Sequence, residues 1–138
     1  MIILDTNVIS EPLRQQPHSR VVEWIDQQNV ETLYLTAITV GELRYGLAIL
    51  PDGKRKTVLQ ERLEAEVLGL FKGRILSYDL AASEAYGVLM ARAKAMGLAI
   101  GTADGNIAAI AKSNVMKIAT RDTSPFIASG IEVINPWQ

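Results

Sequence analysis

Residues Ile2–Asn7 read IILDTN: an apolar run of three is followed at once by an acid and two further polar residues. The run lacks the alternation of polar and apolar residues that is typical of a half-exposed strand, which favours a strand covered on both faces. Asp5 then lies just beyond the carboxyl end of that strand. In open parallel sheets, ligands bind in the crevice outside those ends. This short stretch therefore predicts both a fold class and the edge of the fold where chemistry is done.

The same kind of apolar run recurs along the chain, separated by longer segments in which apolar residues repeat at helical spacing. The further predicted strands are Leu33–Leu35, Ile75–Leu76, Ile118–Thr120 and Val133–Ile134. Strands that alternate with helices predict an α/β domain with a central, mainly parallel sheet of four to five strands between helical layers. We expect one domain over residues 1–138, since this length is usual for a single domain.

Composition excludes several kinds of chemistry. The chain has one His, no Cys and a formal net charge of −1. Disulfide scaffolds, zinc–thiolate sites and thiol nucleophiles are excluded, as is bulk electrostatic attachment to nucleic acid. No segment has the roughly 20 apolar residues needed to cross a bilayer, and no signal peptide is recognisable. We expect a cytoplasmic protein with no membrane contact, whose chemistry is performed by carboxylates, hydroxyls or amides.

Four of the fifteen Asp and Glu residues stand apart by their position, and the other eleven are predicted to be ordinary surface or turn charges. Two follow predicted strands within two residues, one lies early in the helix after the second strand, and one begins the helix that carries Ile107. These four are Asp5, Asp122, Glu42 and Asp104. Thr39 is the predicted N-cap of the helix that carries Glu42.

Each acid taken alone has a simpler explanation. Asp5 and Asp122 could cap the helices that follow them, and Asp104 could complement a helix dipole in the first turn. Glu42 is harder to explain in this way, because its neighbours Val40 and Leu43 are predicted to face the core. The joint pattern therefore favours a functional role.

Carboxylates that converge repel each other, and their pKa values rise unless a cation neutralises them. Mg²⁺ prefers oxygen ligands and is held by carboxylates together with substrate phosphates. Zinc is a poor match for a chain with one His and no Cys. The sequence therefore predicts a hard divalent cation and phosphoryl chemistry.

Four motifs, in this order, resemble those of PIN-domain ribonucleases, and among them the FitB-type branch of the VapC toxins. The motifs are Leu4–Asn7 (LDTN), Ile38–Gly46 (ITVGELRYG), Ile100–Ala109 (IGTADGNIAA) and Ala119–Asp122 (ATRD). Each motif alone is short, whereas the ordered set over one domain-length chain is specific. The resemblance implies a PIN-like three-layer α/β/α fold.

The resemblance also implies a Mg²⁺-dependent endoribonuclease, with Mn²⁺ as a substitute, that cleaves RNA such as tRNA. It implies a toxin held inactive by a cognate antitoxin protein, as a homodimer within a toxin–antitoxin hetero-oligomer. Operator DNA would be reached only through the antitoxin. Asp5, Glu42, Asp104 and Asp122 match the acidic metal-binding positions of the family, and Thr120 matches the hydroxyl residue that accompanies the last acid.

Four residues beside these acids are predicted to contact substrate, and each has an alternative. Arg44 and Arg121 could contact RNA phosphates, or could pair with acids or with solvent. Thr6 and Asn7 could orient substrate or water, or could cap the next helix.

Two other functions remain open from the sequence. The first is a phosphoryl-transfer or receiver-like α/β domain with Asp5 as the nucleophile or metal ligand and Asp79 as a further acid, although no Lys follows the Thr120 strand at the expected place. The second is a catalytically silent PIN fold that serves only as a binding module.

Overall fold

The computed structural model describes residues 1–138 and contains five short strands and eight α-helices. The strands are β1 (Ile2–Leu4), β2 (Leu33–Thr36), β3 (Ile75–Leu76), β4 (Lys117–Ala119) and β5 (Val133–Ile134). The helices are α1 (Thr6–Ser10), α2 (Ser19–Gln27), α3 (Ala37–Ala48), α4 (Lys54–Glu61), α5 (Leu68–Leu70), α6 (Leu80–Ala95), α7 (Thr102–Ser113) and α8 (Ser124–Ala128). None of these helices is long and apolar enough to cross a membrane.

The strands form one sheet in the order β3-β2-β1-β4-β5, and every neighbouring pair is parallel. β1 is the central strand: Ile3 pairs with Tyr34 on one side and with Ile118 on the other. The predicted strands are confirmed with small shifts at their ends, since β2 extends to Thr36 and β4 stops at Ala119. The carboxyl ends of β1, β2 and β4 therefore meet at one edge.

Two apolar cores lie on opposite faces of the sheet, because successive side chains of a strand point in opposite directions. Leu4 of β1 belongs to the core that includes Val21 and Leu43 from α2 and α3. Ile3 belongs to the core that includes Phe126 and the apolar face of α7. Ile3 and Leu4 are both fully buried. The predicted three-layer α/β/α arrangement is confirmed.

The helical segment from Lys54 to Leu70 is not regular. A π-helical turn, Arg62–Val67, separates α4 from α5. The N–H of Leu68 reaches back five residues to the carbonyl of Leu63, and Leu63 is only 1% exposed. Apolar spacing indicates that a helix forms here, but it does not reveal a local change from four-residue to five-residue hydrogen bonding.

Two helices end in the same hydrogen-bonded turn with different residues at its left-handed position. After α6 this position is Gly97, with φ of 73°, and after α7 it is Val115, with φ of 54° and 93% exposure. In both turns the next N–H bonds the carbonyl five residues back: Leu98 bonds Ala93, and Met116 bonds Ala111. Glycine is preferred there because a Cβ is strained in the left-handed region.

We therefore expect Val115→Gly to raise the free energy of unfolding by about 1 kcal/mol, because the left-handed strain exceeds the entropy cost of glycine. Gly97→Val is the matched control and should lower the free energy of unfolding by a similar amount. Denaturant unfolding of the two variants measures both values. A destabilised Val115→Gly variant would contradict the explanation.

Candidate active site

The four acids singled out by the sequence come together at the carboxyl edge of the sheet. Asp5 follows β1, Glu42 lies on α3 after β2, Asp104 lies in the first turn of α7, and Asp122 follows β4. The negative charges of Asp104 and Glu42 both act on Asp5, and those of Asp122 and Glu42 both act on Asp104. All four carboxyl groups are thus linked electrostatically.

Asp5 is the buried member of this group, with 4% of its surface exposed. Its Oδ1 accepts the N–H of Thr6 at 2.8 Å, so Asp5 does cap α1. Its Oδ2 accepts the hydroxyl of Thr120 at 2.8 Å. Burial raises the pKa of Asp5 to about 6, the charges of Asp104 and Glu42 add to the rise, and the two hydrogen bonds oppose it. The capping explanation and the functional one therefore apply to the same carboxylate.

Thr120 and Asn7 fix the loop that carries Asp122. Thr120 is fully buried, and its Oγ1 accepts the N–H of Asp122 at 3.2 Å. The Oδ1 of Asn7 accepts the N–H of Arg121 at 3.1 Å, and its Nδ2 lies 3.4 Å from Oγ1 of Thr120. The alternative that Asp122 caps a helix is wrong, because the N-cap of α8 is Thr123. Asp122 is left exposed beside the other acids.

Glu42 is held by the hydroxyl group of Thr6. The hydroxyl of Thr6 donates to Oε1 of Glu42 at 2.8 Å and lies 3.1 Å from Oγ1 of the buried Thr39. The prediction that Thr39 is the N-cap of α3 is wrong: Thr36 is the N-cap, and its Oγ1 accepts the N–H of Thr39 at 3.1 Å. β2 runs directly into α3, so the helix begins three residues earlier than predicted. Thr39 then lies in the first turn, where its hydroxyl meets Thr6.

The two arginines proposed as phosphate contacts have different surroundings. Arg44 forms a bidentate salt bridge with Glu64, with Nε–Oε1 and Nη2–Oε2 distances of 2.9 and 3.1 Å. This exposed pair raises the pKa of Arg44 through hydrogen bonding and lowers that of Glu64 for the same reason. Arg121 has no salt bridge, and its guanidinium carbon lies 5.2 Å from the ring centroid of Trp137.

Two acids outside this group have structural roles. Glu11, one of the eleven acids predicted to be ordinary, is 4% exposed; it accepts the N–H of His18 at 3.1 Å and pairs with Arg14 at 3.3 Å. No periodicity marks this position, because its partners come from a loop. Asp79, considered as a second acid of a receiver-like site, caps α6 by accepting the N–H of Ala82 at 2.9 Å.

The acids do not form a ready-made metal cluster, since no three Asp, Glu or His side chains are grouped closely enough to hold an ion. Their chemistry nevertheless fits a hard divalent cation, because the donors are all carboxylate oxygens. Burial raises the pKa of Asp104, and the charges of Asp122 and Glu42 raise it further. A cation at this edge would relieve that repulsion, so Asp5, Glu42, Asp104 and Asp122 are the residues that could hold it.

The fold and its acidic edge define a class: a three-layer α/β/α protein whose candidate site lies at the carboxyl ends of parallel strands. The family described as PIN domain matches residues 2–128. The chain belongs to this family.

Relatives and a solved structure match over the whole chain. The VapC ribonuclease Y4jK of Sinorhizobium fredii is 58% identical over 138 residues, which cover 100% of this chain and 99% of the relative. The toxin FitB of Neisseria gonorrhoeae is 54% identical over 137 residues, or 99% of each chain. The structure of FitAB bound to the IR36 DNA fragment has a TM-score of 0.97 at 53% identity, with 100% of this chain and 96% of that chain covered.

Because the pKa of Asp5 is raised, the stability of the folded protein should depend on pH. Its ordinary value is 3.8 and its folded value is about 6, so the folded state binds a proton more tightly than the unfolded chain. Ionisation of Asp5 therefore lowers the free energy of unfolding. The protein keeps this part of its stability below about pH 4 and loses it as the pH rises through 6. In metal-free buffer at pH 7, we expect Asp5→Asn to have a free energy of unfolding about 1–3 kcal/mol higher than that of the parent protein. The difference should vanish near pH 4, and denaturant unfolding at both pH values measures it.

Asp26→Asn, which changes an exposed acid on α2, is the control for a general effect of removing one negative charge. A stability difference for Asp5→Asn that stays constant between pH 4 and pH 7 would show that burial does not destabilise the Asp5 carboxylate.

Proposed function

We propose that this chain is the toxin component of a type II toxin–antitoxin system and acts in the cytoplasm as a divalent-metal-dependent endoribonuclease. The observation that carries the proposal is the group of four carboxylates at one sheet edge, in which Asp5 is buried and electrostatically linked to the others. Relatives named as a VapC ribonuclease and as the toxin FitB support it, each over at least 99% of this chain. We assign the activity to one domain, residues 1–138.

Asp5, Glu42, Asp104 and Asp122 would hold Mg²⁺, for which Mn²⁺ could substitute. When bound, such a cation offsets the charge of the scissile phosphate and lowers the pKa of water. Thr120 keeps Asp5 in place through its 2.8 Å hydrogen bond, and the carboxylate so fixed is already desolvated.

The substrate would be RNA, bound at the same edge. Arg121 and Asn7 lie on the loop and helix that border the acids, and the backbone of Arg121 is fixed by Asn7. Arg44 would have to leave Glu64 before it could contact a phosphate, so we rank it below Arg121. Thr6 is better explained as a support for Glu42 than as a substrate contact.

The partner would be a cognate antitoxin protein. A groove of about 320 Å³ has Thr6, Glu42, Arg14 and Arg55 among its polar lining residues. Its apolar lining consists of Leu13, Leu43, Leu47, Leu50, Leu59 and Leu63. Because Glu42 lines this groove, a protein segment bound there could block the site. Operator DNA would be reached through the antitoxin, in keeping with the net charge of −1 here and with the DNA-bound FitAB structure.

A homodimer would cover apolar side chains on and beside α6. Leu80, Val88, Met96 and Leu98 are exposed by 88%, 64%, 61% and 41%. Exposed apolar side chains on one helix and the segment after it are typical of an association surface.

The central test is RNA cleavage by Asp5→Asn and Asp104→Asn. We expect both variants to fold, because Asn has nearly the same size and shape as Asp. We expect both to lose divalent-dependent cleavage and growth toxicity by at least about 100-fold, since each removes a charge that the reaction requires. Cleavage of total RNA with Mg²⁺ or Mn²⁺, and with a chelator, measures the effect.

Asp26→Asn is the matched control and should retain parental cleavage and toxicity. Full activity in Asp5→Asn or Asp104→Asn would remove these residues from the site. A parent protein that binds no divalent cation by calorimetry and cleaves no RNA would favour the silent binding module, and a phosphoaspartate trapped on Asp5 would favour the phosphoryl-transfer alternative.

The hydroxyl of Thr6 gives a second test. A hydrogen bond to a charged group is worth about 1.5–3 kcal/mol, so its loss in the transition state lowers the rate roughly 10-fold or more. We expect Thr6→Val to lower kcat by that factor with little change in KM, whereas Thr6→Ser keeps the hydroxyl and retains most of the activity. A raised KM with unchanged kcat in Thr6→Val would instead make Thr6 a substrate contact.

A further inference from the structure

The backbone of Arg121 is fixed by a hydrogen bond next to Asp122. Its N–H is bound by Asn7 at 3.1 Å, and the residues on either side are Thr120 and Asp122. Its long side chain is exposed and makes no hydrogen bond or salt bridge to another side chain. Asp122 is its neighbour in the chain, yet the guanidinium forms no salt bridge with Asp122 or with the other three acids. Its one directional contact is the Trp137 ring, with the guanidinium carbon 5.2 Å from the centroid.

Trp137 is fixed by contacts with the apolar core and with the end of β5. Its indole packs against the apolar core that contains Leu4 and Ala119, and Oδ1 of Asn135 accepts the backbone N–H of Trp137 at 2.9 Å. The strand just before it, β5, pairs with β4, and the carbonyl of Ile134 accepts the N–H of Thr120 at 2.9 Å. The ring and the loop that carries Arg121 are therefore fixed to the same pair of strands.

A guanidinium on an aromatic face keeps its charge and its N–H donors. The ring attracts the cation through its electron-rich face, whereas the planar fork of donors at the edge remains available to a phosphate. Arg44 shows the contrasting case, because its Nε and Nη2 donors are already taken by Glu64. Of the two arginines proposed to contact phosphate, only Arg121 offers a free donor edge.

We propose that Trp137 is a positioning residue for RNA binding: it holds the Arg121 side chain at the rim of the acidic site, with its donors directed to a backbone phosphate of the substrate. Without the ring, the guanidinium would be free to turn toward Asp122 or Asp104 and neutralise an acid. This inference rests on the proposed ribonuclease function, and it adds a residue outside the four acidic motifs.

The test compares Trp137→Leu, Trp137→Phe, Arg121→Gln and the double variant Trp137→Leu/Arg121→Gln. Leu keeps apolar packing and removes the aromatic face, whereas Phe keeps a smaller face. With a fluorescein-labelled RNA hairpin that the parent cleaves, we expect Trp137→Leu to raise KM about 3- to 10-fold with kcat within twofold, and Trp137→Phe to raise it less. Arg121→Gln should raise KM at least as much, and the double variant should resemble Arg121→Gln alone.

Salt dependence provides a readout that a purely structural role would not move. Loss of one phosphate contact lowers the slope of log affinity against log salt by about 0.7 for single-stranded RNA, so we expect this change in Trp137→Leu and in Arg121→Gln. In a Trp24→Phe background, where Trp137 is the remaining Trp, RNA should change the indole fluorescence, and Arg121→Gln should reduce that change.

Equal KM values for Trp137→Phe and Trp137→Leu, or additive effects in the double variant, would overturn the inference. If Trp137→Leu fails to fold by circular dichroism, the fluorescence comparison and the salt slopes of Trp137→Phe and Arg121→Gln decide. Unchanged KM in Arg121→Gln while Asp104→Asn still abolishes cleavage would reject this inference and leave the ribonuclease function standing. Full cleavage by Asp104→Asn would reject the function itself.

Discussion

The buried carboxylate of Asp5 is the point on which the site depends. One of its oxygens caps α1 and the other accepts the hydroxyl of Thr120 at the end of β4, while its own N–H donates to the carbonyl of Ala119 at 2.9 Å. A single residue thus joins the central strand, the first helix and the neighbouring strand. Burial raises the pKa of Asp5, and the two hydrogen bonds lower it. The hydrogen bonds that fix the carboxylate therefore offset part of the cost of its desolvation.

This balance between burial and hydrogen bonding explains why hydroxyl and amide groups surround the acids. Thr6 holds Glu42, Thr120 holds Asp5, and Asn7 holds the loop that carries Asp122. No basic side chain forms a salt bridge with any of the four acids. A Lys or Arg would relieve their repulsion permanently and compete with a cation, whereas neutral donors fix the carboxylates without cancelling their charge. The repulsion that remains among the four carboxylates lowers the stability of the fold, but it keeps the negative charge that the proposed chemistry needs.

Position relative to strand ends was enough to single out Asp5 and Asp122, since parallel strands ending at one edge bring together whatever follows them. Asp104 follows a helix instead of a strand, and α7 carries it to the same edge. The sequence could not show how those acids are held. Thr36 and Thr39 are three residues apart, and either could cap a helix; only the direct passage from β2 into α3 decides between them. Glu11 and Trp137 owe their surroundings to a loop and to a strand pairing, respectively, and neither contact has a local sequence signal.

The net charge of −1 also takes on a more specific meaning in the structure. A protein with so little excess charge gains little from long-range attraction to RNA, so affinity must come from a few oriented contacts. Arg44 and Arg14 are already engaged by acids, whereas Arg121 on its aromatic support keeps free donors on the loop that carries Asp122. An RNA phosphate at this edge would approach the four carboxylates. Under the proposed function, RNA binding would be repulsive in the absence of a cation, so metal binding and substrate binding would depend on each other.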